Sequence, residues 1–140
     1  MGTIEGIMTK QVITIGKDAT ILEAAKLMDK KGIGSLVITE DSKPVGIITE
    51  KDFLKRVIAQ ERDVNSRVEE IMSAPLITIG KDVGYCEAGE VMAKKKIRRL
   101  PVIQEEELIG IITMRDMLPK CVDDLLETID RISSILKRLG

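Results

Sequence analysis

Apolar residues follow two periods along this chain. Ile13-Thr14-Ile15 alternates and stops at Gly16-Lys17-Asp18, which predicts a short β-strand. Thr20-Ile21-Leu22-Glu23 has the form of a capping box, in which the Thr hydroxyl accepts from a first-turn N–H and the Glu turns back to the cap. Behind it Ile21, Ala24, Ala25, Leu27 and Met28 share one face of a predicted helix. Two apolar runs, Leu36-Val37-Ile38 and Val45-Gly46-Ile47-Ile48, flank Asp41-Ser42-Lys43-Pro44, whose residue types are those of a turn, so they predict a hairpin. Thr49-Glu50-Lys51-Asp52 then opens a second helix carrying Phe53, Leu54, Val57 and Ile58. The strands on either side of the first helix are expected to be parallel, joined by a right-handed crossover.

This strand-helix-strand-strand-helix unit occurs twice at a constant offset. Ile7-Met8-Thr9 returns as Ile71-Met72-Ser73, 64 residues on, and Ile13 to Asp18 returns without a gap as Ile77 to Asp82. Gly46-Ile47-Ile48-Thr49 returns as Gly110-Ile111-Ile112-Thr113, and Asp52 as Asp116. Each copy is too short to bury a core alone, so the two are expected to pack together. The expected organisation is α+β: a repeat over 7–58, a linker over 59–70, a second repeat over 71–118 and a tail over 119–140.

The copies differ in three ways. Gly34-Ser35 becomes Arg98-Arg99 at the start of a strand. Lys55 becomes Pro119, which predicts a break or kink in the last helix of the second copy. The tail is strongly periodic: Val122, Leu125, Ile129, Ile132, Leu136 and Leu139 alternate spacings of three and four, the pattern of an amphipathic helix with a heptad-like seam.

Composition removes several functions. The chain has 140 residues, 44% hydrophobic and 32% charged, with 22 Lys+Arg against 23 Asp+Glu. It has no His, which excludes Ser-His-Asp and Cys-His relays, HExxH zinc proteases and imidazole proton shuttles. Phe53 and Tyr85 are its only aromatic residues, too few to stack a single strand, and the net charge of −1 supplies no general field for a phosphate backbone, so nucleic acid is disfavoured as a partner. No activated nucleophile and no metal-ligand cluster is visible. The acidic run Glu105–Glu107 reads as a solvated hairpin turn, and the seven Met as core filler. Cys86 and Cys121 lie outside any CxxC pair and are expected to be inert thiols in a reducing compartment. No apolar run approaches a membrane span and the first residues lack a secretory leader, so a cytoplasmic protein with no membrane partner is expected.

The order I-M-[TS], I-T-I, E-A with a following Met, L-[VP]-[VI] and [VI]-G-I-I-T-x-x-D, present twice, resembles the CBS domain, the cystathionine β-synthase-type regulatory module. The resemblance covers about residues 7–57 and 71–118. It implies a tandem pair packed through its sheets about a pseudo-two-fold axis, with two clefts of the kind that hold AMP, ADP, ATP or S-adenosylmethionine in relatives. It also implies a homodimer.

Carried over to this chain, the resemblance implies two unequal sites. In the first, Thr49 and Asp52 hold a ribose, Ile47 with Pro75, Leu76 and Ile77 lines the base, and Arg98, Arg99 and Arg115 meet phosphates. In the second, Thr113 and Asp116 hold the ribose, and Gln11, Val12, Ile13 and Ile111 line the base. There Gly34 and Ser35 replace the arginines and leave Lys51 as the nearby cation. The first site is therefore expected to take the more phosphorylated ligand. A planar guanidinium fork reads phosphate bidentately, as a lysine does not. Thr49 with Asp52, and Thr113 with Asp116, also read as helix caps that stability alone would favour. The expected function is a non-enzymatic regulator that binds an adenosine-type nucleotide, has no catalytic cofactor and passes its output to a separate effector protein. The alternatives are a structural or oligomerisation module with empty clefts, and a nucleic-acid-responsive regulator using Lys94–Arg99.

Overall fold

The structure, a computed structural model, describes residues 2–139. Met1 and Gly140, the last residue of the expected tail, lie outside the described residues. Strand β1 (Thr14–Gly16) leads through α1 (Ile21–Lys31) to β2 (Ser35–Glu40) and β3 (Lys43–Thr49). A short helix α2 (Glu50–Asp52) runs directly into π-helical turns over Phe53–Ile58. The second half gives β4 (Ile79–Gly80), α3 (Tyr85–Lys95), β5 (Arg99–Gln104), β6 (Glu107–Thr113) and α4 (Met114–Leu139). Each half forms one three-stranded sheet, β1-β2-β3 or β4-β5-β6, with the first pair parallel and the second antiparallel.

Local chemistry explains these elements. The capping box at α1 is present in both directions: Glu23 N–H donates to Thr20 Oγ1 at 3.0 Å and Thr20 N–H to Glu23 Oε2 at 3.2 Å. The hairpin turns are tighter than the residue types suggest. Asp41 and Ser42 form the first with φ of 49° and 67°, and Glu105 and Glu106 the second with 51° and 68°, the two left-handed residues of a hairpin turn whose twist matches its strands. Lys43 and Pro44 thus belong to β3, and Pro44 pairs with Thr39 where a bulge removes the need for its missing N–H.

The segments preceding β1 and β4 are exchanged between the halves. Thr9 exchanges backbone hydrogen bonds with Ile111 of β6, both at 2.9 Å, and Ser73 does the same with Ile47 of β3 at 2.9 and 3.2 Å. Ile4, before β1, is wholly buried in the core of the second half, beside Leu100, Val102 and Ile112. Val68 and Ile71, before β4, are wholly buried in the core of the first, beside Leu36, Ile38 and Ile48. Ion pairs repeat the exchange: Lys17 Nζ lies 3.6 Å from Glu69 and Lys81 Nζ 3.7 Å from Glu5. Both ammonium groups are raised above the ordinary lysine value, Lys17 chiefly by Glu69 and Lys81 chiefly by Asp82. The exchange requires glycine twice. A Cβ on Gly46 would stand 2.6 Å from Met72 Sδ, and one on Gly110 2.5 Å from Met8 Sδ.

Two expectations are corrected. Pro119 does not break the last helix; α4 runs unbroken through it for 26 residues. The one helical hydrogen bond it forgoes would have reached the carbonyl of Arg115, an exposed residue in the first turn, where water can serve. The irregular helix is instead that of the first half, where Ala59 N–H reaches back five residues to Leu54 O at 3.0 Å. Cys86 and Cys121 are not free thiols. They form a disulfide between α3 and α4 with Cα atoms 5.2 Å apart, which removes the ground for reading a reducing compartment from them. No helix among the described residues is long and apolar enough to cross a membrane.

Candidate functional site

The exchange of segments opens a cleft of about 830 Å³ between the halves, within the size range of small-molecule sites. One wall comes from the end of β3 and the helix after it (Ile47, Thr49, Asp52), another from Ser73, Pro75 and Ile77, and the third from Arg98, Arg99 and Pro101 at the start of β5.

Thr49 and Asp52 meet at the strand-to-helix corner. Thr49 N–H donates to Asp52 Oδ2 at 2.8 Å, and the Thr49 hydroxyl lies 3.3 Å from the same oxygen. Arg56 Nε stands 3.6 Å from Asp52 Oδ1, while its Nη1 donates to the carbonyls of Ile71 and Met72 at 2.8 and 3.1 Å. Arg56 therefore ties the corner to the exchanged segment. The Asp52 side chain is 13% exposed. An ionised carboxylate has about four acceptor sites, so the cap and Arg56 leave capacity for a ligand hydroxyl.

Two walls, the helix after β3 and the segment entering β5, are cationic. Lys51, Lys55, Arg56, Lys96, Arg98 and Arg99 line the cleft against Glu50 and Asp52. Among the described residues Lys51, Lys55, Lys96, Arg98 and Arg99 form no ion pair with a carboxylate. Arg99 reaches over the first half: a Cβ on Gly34 would lie 3.0 Å from Arg99 Nη2 and 2.8 Å from Glu50 Oε1. Gly34 thus leaves room for the Arg99 guanidinium that arrives from the other copy.

The wall that carries Ile77 has its own asymmetry. In the first half Val37 N–H donates to Ile13 O at 3.4 Å and β1 begins at Thr14. Pro101 stands where Val37 does and has no N–H, so β4 begins only at Ile79 and the carbonyl of Ile77 receives no bond from position 101. Both Ile77 and Pro101 line the cleft.

Of the residues expected in the first site, Ile47, Thr49, Asp52, Pro75, Ile77, Arg98 and Arg99 share this one cleft. Leu76 is half-buried outside its lining, and Arg115 is exposed near the start of α4. Lys51, expected beside the second site, lines the first. At the other corner Thr113 N–H donates to Asp116 Oδ2 and Asp116 N–H to Thr113 Oγ1, both at 3.1 Å, a closed capping box. Ile111 is bridged to Thr9, Ile13 packs on the first core, Val12 is half-buried and Gln11 is exposed; Gly34 lies beside Glu50 and Arg99, and Ser35 pairs with Thr49 in the sheet. Sequence reasoning missed Glu50, Lys55, Arg56, Ser73, Lys96, Ile97 and Pro101. Lys96 carried a signal, since it replaces the helix-ending Gly32 of the first copy.

The CBS domain family model matches residues 4–59 and 68–123. A CBS domain-containing protein of Bacillus subtilis, YhcV, is 34% identical over 117 residues, 84% of each chain. A Methanopyrus kandleri protein is 41% identical over 115 residues, 80% of this chain and 59% of its own length. Among solved structures, a protein with CBS domains from Burkholderia ambifaria superposes with a TM-score of 0.81 at 32% identity, covering 88% of this chain and 96% of that one. The CBS domain pair of protein MJ0100, solved with 5-methylthioadenosine and S-adenosyl-L-methionine, superposes at 0.79 with 31% identity, covering 89% and 98%. With two matched repeats, a shared fold and the exchanged segments just described, the chain belongs to the CBS domain family as a tandem pair.

Proposed function

We propose that this CBS pair is a regulatory, non-catalytic module whose cleft binds a phosphorylated adenosine, of the AMP, ADP or ATP class. The observation that carries the reading is the order of chemistry along one wall-to-wall path. A carboxylate and a hydroxyl at Asp52 and Thr49 suit a ribose diol. Ile47, Pro75 and Ile77 grip a flat base through aliphatic faces. Arg98, Arg99 and Lys96 meet negative charge beyond it. The Ile77 carbonyl, relieved of its ladder partner by Pro101, is an acceptor for an exocyclic amine such as that of adenine. The bound adenosines of the MJ0100 pair support the ligand class.

Charge then selects within that class. Six cations against two carboxylates favour a phosphate chain and penalise the positive sulfonium of S-adenosylmethionine. Because the walls come from both halves, a ligand that bridges them binds one relative placement of the halves better than another. Such differential affinity is what a separate effector protein would read. The test is a thermal-shift panel of AMP, ADP, ATP and S-adenosylmethionine on the wild type and on Asp52→Asn, which retains a cap acceptor at position 52. Stabilisation by the phosphorylated ligands, reduced in the variant, is expected. A folded protein that none of the four stabilises overturns the reading.

A further inference from the structure

Arg56 stands among the cations of the cleft, but most of its guanidinium is engaged within the fold. Nη1 donates to the carbonyls of Ile71 and Met72 at 2.8 and 3.1 Å, and Nε faces Asp52 Oδ1 at 3.6 Å. The N–H donors of a guanidinium lie in one rigid plane. Among the described residues only Nη2 has no partner, so the fork that would grip a phosphate bidentately is already committed.

The groups at both ends of this plane are themselves held. Asp52 Oδ2 accepts the Thr49 N–H at 2.8 Å, which leaves Oδ1 to Arg56. Ile71 is wholly buried, and Ser73, two residues on, exchanges backbone hydrogen bonds with Ile47. The same segment continues into Pro75 and Ile77, which line the cleft. Arg56 lies within the π-helical turns over Phe53–Ile58, a kind of irregularity frequent at functional sites. The turn that follows fastens its backbone: Arg62 Nε donates to the Arg56 carbonyl at 3.1 Å and Arg62 N–H to that of Val57 at 2.9 Å. The other half lacks the device. Lys120, 64 residues on, has the same spacing from Asp116 but lies exposed on the regular helix α4 and, among the described residues, forms no ion pair with it.

We propose that Arg56 is a positioning residue for the nucleoside and not a ligand of the phosphates. By holding Asp52 and the Ile71 and Met72 carbonyls in one plane, it sets the separation between the carboxylate that accepts the ribose and the Pro75 and Ile77 faces that grip the base. This role rests on the reading of the cleft as an adenosine site.

The test is calorimetric titration of the full chain with AMP, ADP and ATP, for the wild type, Arg56→Lys, Arg56→Ala, Asp52→Asn and the double variant Asp52→Asn/Arg56→Lys, each below its own melting temperature. Arg56→Lys keeps the charge and loses the fork. It is expected to weaken all three ligands by one common factor, on the order of tenfold, as for coupled residues of one network. Should Arg56→Ala fail to fold, Arg56→Lys carries the comparison. Because Arg56 acts through Asp52, the double variant is expected to lose less than the product of the two single losses, a coupling that a merely structural role does not produce. Arg98→Ala/Arg99→Ala is the contrast, with a loss that grows from AMP to ATP. An Arg56→Lys chain that binds as the wild type does, a loss that grows with phosphate number, or independent losses in the double variant overturns the role of Arg56 while the adenosine site stands. A folded wild type that binds none of the three overturns the reading of the cleft, and this role with it.

Discussion

Lys96 closes α3 with φ of 55°, at the position where Gly32, 64 residues earlier, closes α1 with φ of 63°. Glycine takes this left-handed conformation without penalty, whereas a lysine there is strained. Lys96 also lines the cationic wall, so the strain sits at the candidate site. Lys96→Gly is therefore expected to raise stability by about 1 kcal/mol in urea denaturation and to weaken ATP binding several-fold. A variant less stable than wild type would contradict this assignment.

Pro101 leaves Ile77 without the ladder bond that Val37 gives Ile13. Pro101→Val returns that donor. The new amide at position 101 is expected to exchange slowly with deuterium, as in an extended β4, and adenosine ligands to bind more weakly because the carbonyl is taken. Fast exchange at position 101 would show that β4 does not extend.

The disulfide closes a separation of 35 residues. Loop-closure entropy assigns such a link about 3–4 kcal/mol. Reduction, or Cys121→Ser, is expected to lower the urea midpoint accordingly, and alkylation of the unfolded, unreduced protein followed by mass spectrometry should find no modified thiol. Two modified cysteines would contradict the pairing.

The exchanged segment at 71–73 passes close over β3. A methyl on Gly46 would stand 2.9 Å from the carbonyl of Ser73, a backbone atom that cannot rotate away. Gly46→Ala is expected to cost about 1–3 kcal/mol. Gly16, with nothing within 4 Å of an added Cβ, is the control, and its change to Ala should leave the melting temperature within a degree or two of wild type. Equal effects at both positions would mean the segment does not pass where it is placed.

What could be read from the sequence was local. The capping boxes at Thr20 and Thr49, the two hairpins and the 64-residue offset all depend on neighbours in the chain, and the repeat carried the family resemblance. The exchange of Ile4 and Ile71 between cores was not legible, because a repeated segment has the same residues whichever sheet it joins. For the same reason the cysteines, 35 residues apart, were misread: only the packing of α3 on α4 brings them together. Pro119 was misjudged because its cost depends on whether the carbonyl one turn back is exposed, and the residue order does not show that. Arg56 and Ser73 joined the site through backbone contacts with Ile71, Met72 and Ile47 that no side-chain motif announces.

The most direct measurement of the central claim is a calorimetric titration of the purified chain with ATP and with S-adenosylmethionine, repeated on Asp52→Asn and on Arg98→Ala/Arg99→Ala. ATP is expected to bind more tightly than S-adenosylmethionine and to weaken with Asp52→Asn. Loss of both guanidiniums is expected to cost roughly tenfold or more, since a charge-assisted hydrogen bond contributes about 1.5–3 kcal/mol. Absence of ATP binding to the folded wild type, or an affinity unchanged in both variants, would contradict the account.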